Sequence, residues 1–231
     1  MAEEIKQNNV LKEAVLEMAK VGAYLGKKKS KSHPKMKPYV LTARNDTLMI
    51  NLEKTYKSLI NALDFLREIK KKGGVVLFVG TKVAAKKLVK EAALKINMPY
   101  VWQRWLGGTL TNFEIIQKRL NYFDDLEKKS KAGELEKYTK WEQLQFEEEL
   151  KKLEEKFGGL KNIKKLPDAL FIIDSKEEET ALREAKRMKI PVVALINTDT
   201  DPTLIDWPIP INNNAGSAIN YVLEKVKEIW G

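Results

Sequence analysis

The stretch Val75-Val76-Leu77-Phe78-Val79-Gly80-Thr81-Lys82, residues 75–82, decides the fold of this chain of 231 residues. Its first five residues form an unbroken apolar run, which is typical of a strand buried on both faces of a parallel sheet. The next three residues end that run with a glycine turn, and a helical pattern continues to about residue 96. A buried strand followed directly by a helix is the repeating unit of an α/β fold.

Helices and strands alternate along most of the chain. Strands are predicted at residues 48–52, 100–102, 169–173 and 192–196, with a short one near 207–209. Further helices are predicted from near residue 8 to near residue 22 and at 54–72, 177–189 and 215–229. Because strands joined by helices pair in parallel, the predicted fold class is α/β, a doubly wound parallel sheet with helices on both faces.

Residues 112–158 interrupt this alternation with two successive helices. Each carries an apolar stripe at helical spacing; the stripes are Phe113, Ile116, Leu120, Phe123 and Phe146, Leu150, Leu153, Phe157. Residues 130–133 indicate a turn, and Thr139 with Glu142 fits a capping box at the start of the second helix. We expect a protruding antiparallel coiled-coil hairpin, residues 112–158, inserted into an α/β domain formed by residues 1–111 and 159–231.

Composition argues against several classes of protein. No run approaches the roughly 20 apolar residues that span a bilayer, and residues 1–6 are acidic and lack an apolar core, so we expect neither a membrane contact nor a secretory or transit signal. The chain has no Cys, which excludes disulfides and thiolate metal sites. Its one histidine, His33, argues against a histidine zinc site and a Ser-His-Asp triad.

The net charge of +10 is concentrated near the N-terminus. Residues 18–45 contain eight basic residues and no acidic one, whereas the rest of the chain has 34 basic and 32 acidic residues. Such a stretch repels itself, so we expect it to stay unpacked until a polyanion neutralises it. A mobile solvated loop is one interpretation. The interleaved Pro34, Met36, Pro38 and Tyr39 favour the other, a positioned loop that binds phosphates.

The carboxyl ends of the strands are where doubly wound proteins bind ligands. Gly80-Thr81-Lys82 lacks the further glycines of a P-loop or a dinucleotide-binding turn, so Thr81 and Ser175 are interpreted as helix caps, while Lys82 can reach a phosphate. Asp199 and Asp201, with Asp206 near them, are better explained by a turn than by a metal site. We find no catalytic constellation and expect no cofactor and no metal.

A second motif is Arg104-Trp105-Leu106-Gly107-Gly108-Thr109-Leu110-Thr111-Asn112-Phe113. Paired glycines allow positive φ and close approach by another molecule, and a threonine or Asn112 can cap the helix that follows. Arg104 beside Trp105 can bind phosphate and stack on a base. A plain glycine turn with Trp105 in the core fits the same residues equally well.

This decapeptide closely resembles the signature of the ribosomal protein S-two family, bacterial type. Six more segments resemble that family in the same order: residues 34–39, 43–45, 50–55, 78–82, 166–171 and 206–210. The resemblance runs from about Ala14 to the last helix.

The resemblance implies a non-catalytic structural protein of the cytoplasmic small ribosomal subunit, with an α/β domain and a protruding coiled coil. It implies binding to small-subunit ribosomal RNA and to neighbouring ribosomal proteins, including ribosomal protein S-one, and we expect no homo-oligomer. On the matching positions it implies RNA contact by Lys35, Lys37, Arg44, Arg104, Trp105, Gly107, Gly108, Thr109 and Asn112. Charge adds Lys27, Lys28, Lys29 and Lys31 to the predicted RNA-binding residues, and Lys82 is the last of them.

The chain departs from the family at residues 22–32. Bacterial relatives typically carry Gly-Val-His-Phe-Gly-His and then a Trp, whereas this chain has Gly22-Ala23-Tyr24-Leu25-Gly26-Lys27 and Ser32. Histidine or tryptophan chemistry at these positions is therefore lost. The added lysines attract phosphate by charge, which is less specific and more sensitive to salt.

Two other function classes fit parts of the sequence. One is an α/β enzyme acting on a nucleotide or sugar phosphate with Lys82 or Asp174, against which the missing glycine loops and scarce histidine argue. The other is a coiled-coil interaction module in which the basic loop is incidental.

Overall fold

The computed structural model describes residues 2–231, with side chains for residues 9–135 and 137–231. The acidic residues 1–6, in which the sequence predicted no secretory or transit signal, lie outside the range whose side chains are described. The helices are α1 (Ala2–Lys20), α2 (Leu52–Lys71), α3 (Val83–Lys95), α4 (Phe113–Lys131), α5 (Lys140–Phe157), α6 (Glu179–Arg187) and α7 (Gly216–Trp230). The strands are β1 (Leu25–Lys28), β2 (Val40–Arg44), β3 (Thr47–Ile50), β4 (Val76–Val79), β5 (Tyr100–Val101), β6 (Ala169–Ile173), β7 (Val192–Ile196) and β8 (Trp207–Pro210).

Five strands form a parallel sheet in the order β5-β4-β6-β7-β8. The chain leaves β4 toward β5 on one side and returns to β6 on the other, so the strand order reverses between β4 and β6. This reversal is the switch point at which doubly wound sheets usually bind ligands. The predicted α/β class is confirmed.

Alternate residues of the strands face two separate apolar layers. Phe78 and Phe171, on neighbouring strands, have ring centroids 5.1 Å apart and belong to the layer that packs against α2, α3 and α7. Leu77 and Leu170 face the other layer, which includes α6 and the buried sides of α4 and α5. Every residue of β4, β6 and β7 is buried, as the unbroken apolar runs predict.

The two helices predicted at 112–158 are present as α4 and α5. Gly133 turns the chain with φ +71°, and the capping box between Thr139 and Glu142 is formed. The buried residues of the pair, such as Phe123 and Phe157, share the apolar layer beneath the sheet, whereas Phe146 and Leu150 higher on the stripe are only half-buried. The helices therefore pack on the α/β layers at one end.

The lysine-rich segment is folded, which corrects the expectation that its charge keeps it unpacked. Strands β1 and β2 flank β3 in a small antiparallel sheet of order β1-β3-β2, so the strand predicted at 48–52 lies outside the parallel sheet. A 3₁₀ helix at Pro34–Tyr39 buries Met36 completely. Neither β1, in which two of the four residues are lysine, nor the mostly exposed β2 shows a clear apolar alternation, so sequence patterning missed these two strands.

Candidate nucleic-acid interface

The signature turn, defined here as residues 104–112, connects β5 to α4. Gly108 has φ +90°, a conformation that favours glycine, whereas Gly107 has open space where a side chain would stand. The hydroxyl of Thr109 donates to the carbonyl of Leu106 at 2.6 Å. Asn112 is the N-cap residue of α4, but its side chain makes no capping hydrogen bond. The positive φ at residue 108 therefore favours glycine, whereas the missing side chain at Gly107 lets another molecule approach the backbone.

One carboxylate from α6 organises the whole turn. Oε1 of Glu184 accepts hydrogen bonds from Trp105 Nε1 at 3.0 Å and from the N–H of Gly108 at 2.8 Å. Oε2 accepts from the N–H of Leu110 at 2.9 Å, and from the N–H and hydroxyl of Thr111 at 3.2 and 3.3 Å. The backbone forms a nest of N–H groups of the kind that binds anions, and the protein's own carboxylate fills it.

The electrostatics of Glu184 follow from these contacts. Burial by itself would raise the pKa of Glu184, but the hydrogen bonds from the Trp105 indole and the backbone N–H groups of Leu110, Gly108 and Thr111 outweigh burial and lower it. The side chain is therefore ionised at neutral pH and holds the turn against α6.

This arrangement divides the predicted residues of the turn into inner and outer groups. Trp105 is only 7% exposed and Thr109 only 3%, so packing and hydrogen bonds inside the protein account for both side chains. Arg104, Gly107 and Asn112 are exposed on the outer surface. We therefore expect RNA contact from these outer residues rather than from the side chains of Trp105 and Thr109.

The basic segment, residues 22–44, is fixed to the carboxyl ends of β7 and β8. Thr198, just after β7, accepts a hydrogen bond from the N–H of Lys27 on its hydroxyl and one from the N–H of His33 on its carbonyl, both at 2.8 Å. Asn212, just after β8, donates its N–H to the carbonyl of Ala23 and its side-chain amide to the carbonyl of Gly22, both at 3.0 Å. The sheet edge that holds ligands in related topologies here holds part of the chain itself.

Most cations of this segment remain available to a partner. Lys35 is the exception, because its ammonium lies 2.7 Å from Asp201 and 2.9 Å from the hydroxyl of Thr203. The hydrogen bonds from Lys35 and then Thr203 hold the pKa of Asp201 well below its usual range. Among the described residues, no carboxylate lies within ion-pair distance of the exposed cations Lys28, Lys29, Lys31, Lys37 and Arg44.

Lys82 is committed inside the protein. Its ammonium lies 2.7 Å from Asp174 and 3.3 Å from Asn213 Oδ1, and it also donates to Asn214. These contacts argue against its predicted role in binding a phosphate. The predicted helix caps are also wrong: the N-cap residues of α3 and α6 are Lys82 and Glu178, and Thr81 donates its N–H to Glu178 at 2.8 Å.

Comparison with known proteins identifies the family. A sequence model described as "Ribosomal protein S2" matches residues 18–229. The chain belongs to the ribosomal protein S2 family. It is similar to the proteins named "Small ribosomal subunit protein uS2" of Roseiflexus sp. (strain RS-1), 45% identical over 90% of this chain and 79% of the relative, and of Chloroflexus aurantiacus, 42% identical over 93% and 90%. The relative of the same name from Coprothermobacter proteolyticus is 42% identical over 92% of this chain and 79% of its own length.

The S2 family consists of structural, non-enzymatic ribosomal proteins, so membership decides against the enzyme interpretation. Within the described chain, no cluster of three or more His, Asp or Glu side chains is arranged to hold a metal ion. None of the described helices has an apolar stretch suited to crossing a bilayer.

Sequence reasoning missed the two residues that build this S2 surface, Glu184 and Thr198. Glu184 lies among the charged residues of α6, and only its position beside Ala181 and Ala185, both completely buried, marks it as inward-facing. Thr198 lies just after β7, and its partners in the basic segment, Lys27 and His33, lie 165 or more residues earlier in the chain, so no local pattern connects them.

Proposed function

We propose that this chain is a structural component of the small ribosomal subunit that binds its ribosomal RNA with the exposed cations of the basic segment and the outer side of the signature turn. Its expected place is the cytoplasmic ribosome. The observation that carries the proposal is the contrast within the basic segment: its backbone is fixed to the sheet edge, while Lys28, Lys29, Lys31, Lys37 and Arg44 stay unpaired among the described residues.

Fixing the backbone before binding matters because a disordered basic arm pays an entropic cost when it orders on RNA. A folded segment presents its charges at set positions, so phosphates are contacted in one register. Exposed cations with no carboxylate partner also release counterions from the RNA, and that release makes binding depend strongly on salt. The surface therefore fits recognition of the shape of the RNA backbone.

The decisive test compares two double variants of the full chain. Lys37→Ala with Arg44→Ala removes two motif cations of the basic segment. Lys71→Ala with Lys72→Ala removes two exposed cations at the end of α2, near the start of β4 and thus the opposite edge of the sheet. Affinity for small-subunit ribosomal RNA is measured from low to high salt.

The first pair should lower the magnitude of the salt slope by roughly one for each lost phosphate contact, and the control pair should leave it nearly unchanged. Equal slopes for both variants would contradict the assignment of the basic segment. Charge is matched between the variants, so the general attraction between protein and RNA does not decide the outcome.

A second surface, the apolar groove between α1 and the small antiparallel sheet, is suited to binding a protein partner. Two adjoining cavities of about 430 and 420 Å³ share Val15 and Glu53 along this groove. Leu16 is 61% exposed and Leu41, on the edge strand β2, is 67% exposed. Apolar surface rimmed by polar groups is typical of protein contacts. The family resemblance implies ribosomal protein S-one as a partner, and we propose this groove as its contact.

Leu16→Ser with Leu41→Ser tests this second surface by pull-down of purified S-one, because it removes apolar surface without adding charge to the basic segment, of which Leu41 is a part. Capture should fall at least tenfold while the RNA salt slope keeps its value. Unchanged capture would contradict the groove as the S-one contact.

We also propose that the chain divides at residues 112 and 158 into an α/β domain and an inserted hairpin, and that the α4–α5 pair of this hairpin is a coiled coil.

A further inference from the structure

A second basic surface lies where the signature turn meets the α4–α5 pair. It is a groove of about 400 Å³ whose apolar wall is formed by Leu106, Leu153 and Phe157. Its rim carries Arg119 of α4 and two lysines of α5, Lys152 and Lys156, against one carboxylate, Glu149. Three cations and one anion around an apolar wall form a site for an anion that has an apolar part.

Two of these cations, Arg119 and Lys156, have no carboxylate partner among the described residues. Lys152 lies 3.5 Å from Glu148, a weak exposed pair, and Glu149 interacts with the hydroxyl of Tyr122. In the part of the chain that the structure describes, no carboxylate lies within ion-pair distance of Arg119 or Lys156, and both are exposed. Unpaired cations on packed helices are positioned for a partner that brings negative charge.

The groove continues the surface assigned to RNA above. Leu106 lies inside the signature turn, next to the exposed Gly107 and two residues from Arg104. Open space at Gly107 lets a backbone pass close to the protein at this point. An RNA strand that follows the outer side of the turn therefore arrives at the groove, where the half-buried Leu106 offers an apolar contact beside the buried Leu153 and Phe157.

We infer that this groove holds one unstacked nucleotide of the ribosomal RNA, with its base against Leu106 and its phosphates on Arg119 and Lys156. The volume fits, since pockets for small ligands begin at about 300 Å³. RNA loops and bulges supply such splayed bases to proteins. This inference rests on the proposed function and adds to it a defined subsite on the base of the α4–α5 pair.

The test uses the full chain and two charge-matched double variants. Arg119→Ala with Lys156→Ala removes the groove cations. Lys118→Ala with Lys151→Ala removes exposed neighbours on the same two helices that do not line the groove. A third variant, Leu106→Ala, shortens the apolar wall without changing charge. Each is titrated with small-subunit ribosomal RNA over a range of salt concentrations.

The groove pair should lower the salt slope by about two, one for each phosphate contact, and the neighbouring pair should leave it unchanged. Leu106→Ala should weaken binding about fourfold or more, the equivalent of one buried methylene group, at an unchanged slope. Equal slopes for the two pairs, or undiminished affinity of Leu106→Ala, would overturn the subsite while wild-type RNA binding upholds the proposed function. Failure of the wild-type chain to bind this RNA would contradict both the subsite and the proposed function.

Discussion

Glu184 and Trp105 are joined by a hydrogen bond of 3.0 Å between the buried carboxylate and the indole N–H. The same carboxylate accepts four further hydrogen bonds from Gly108, Leu110 and Thr111. These five hydrogen bonds, called the clamp below, fix the signature turn to α6. The contact with RNA that we propose for this turn depends on the shape that these hydrogen bonds give to its outer side.

Replacing Glu184 with Gln should destabilise the fold by about 3 kcal/mol, because hydrogen bonds to a buried charge are strong and an unmet donor is costly. Either orientation of the Gln amide places an NH₂ group against N–H donors, since both carboxylate oxygens accept hydrogen bonds. Chemical denaturation measures the loss, and fluorescence reports the altered Trp105 environment. A variant with wild-type stability would contradict the clamp.

Glu178 should behave in the opposite way, although it also is a buried carboxylate, at the start of the same helix. Burial, the largest effect, and the nearby Asp174 raise its pKa above the ordinary 4.5. Its ionisation at neutral pH therefore opposes folding. Glu178→Gln keeps an oxygen that can accept from the Thr81 N–H, so we expect unchanged or higher stability at pH 7.

The two carboxylates give opposite trends with pH. For Glu178 the folded pKa is raised, so its contribution is favourable below 4.5 and declines as pH rises through the folded value. For Glu184 the folded pKa is lowered, so its contribution is complete above 4.5 and is lost as pH falls below that value. Denaturation of wild type and Glu178→Gln between pH 4 and 7 should converge toward the acid end. Parallel curves would contradict the raised pKa of Glu178.

Met36→Ala should release the basic segment from the body. Met36 is completely buried in the apolar layer shared with α6, and truncating a buried Met costs about 2–5 kcal/mol. Leu41→Ala in the same segment is the control, because Leu41 is 67% exposed and surface changes cost little. Hydrogen exchange at the N–H groups of Lys27 and His33 should accelerate in the first variant alone. Equal exchange in both would show that Met36 does not anchor the segment.

Gly159→Ala should strain the junction of α5 with the sheet. A Cβ at Gly159 would stand 2.1 Å from the carbonyl oxygen of Tyr100, a fixed backbone atom. Overpacking of this kind costs about 1–3 kcal/mol. Gly107→Ala, where a Cβ meets nothing within 4 Å, is the control and should melt like the wild type. Thermal unfolding that ranks the two variants in the reverse order would contradict the close approach.

The sequence predicted the parallel sheet well because its strands are buried on both faces. An unbroken run such as that at residues 75–79 has few alternatives in a chain that also shows helices between the runs. The α4–α5 pair was equally predictable, since Thr139 and Glu142 form a local capping box and the apolar stripes have helical spacing. These signals depend on neighbours in the sequence.

The small antiparallel sheet and the clamp were not predictable in this way. Strands β1 and β2 are short; two of the four residues of β1 are lysine, and β2 is mostly exposed. Both strands are held by Thr198 and by the buried Met36 rather than by their own pattern. The clamp joins Glu184 to Trp105 and Thr111, which lie 79 and 73 positions earlier in the chain. Charge alone suggested an unpacked segment because it does not reveal the backbone hydrogen bonds that hold it.

The most direct test of the central claim is sedimentation of a native lysate through gradients at moderate and then high salt, with detection of this protein in each fraction. We expect this protein to migrate with small ribosomal subunits at moderate salt and to be released as salt rises, because unpaired cations on a fixed surface bind phosphates. A protein that stays at the top of the gradient at every salt concentration would contradict it.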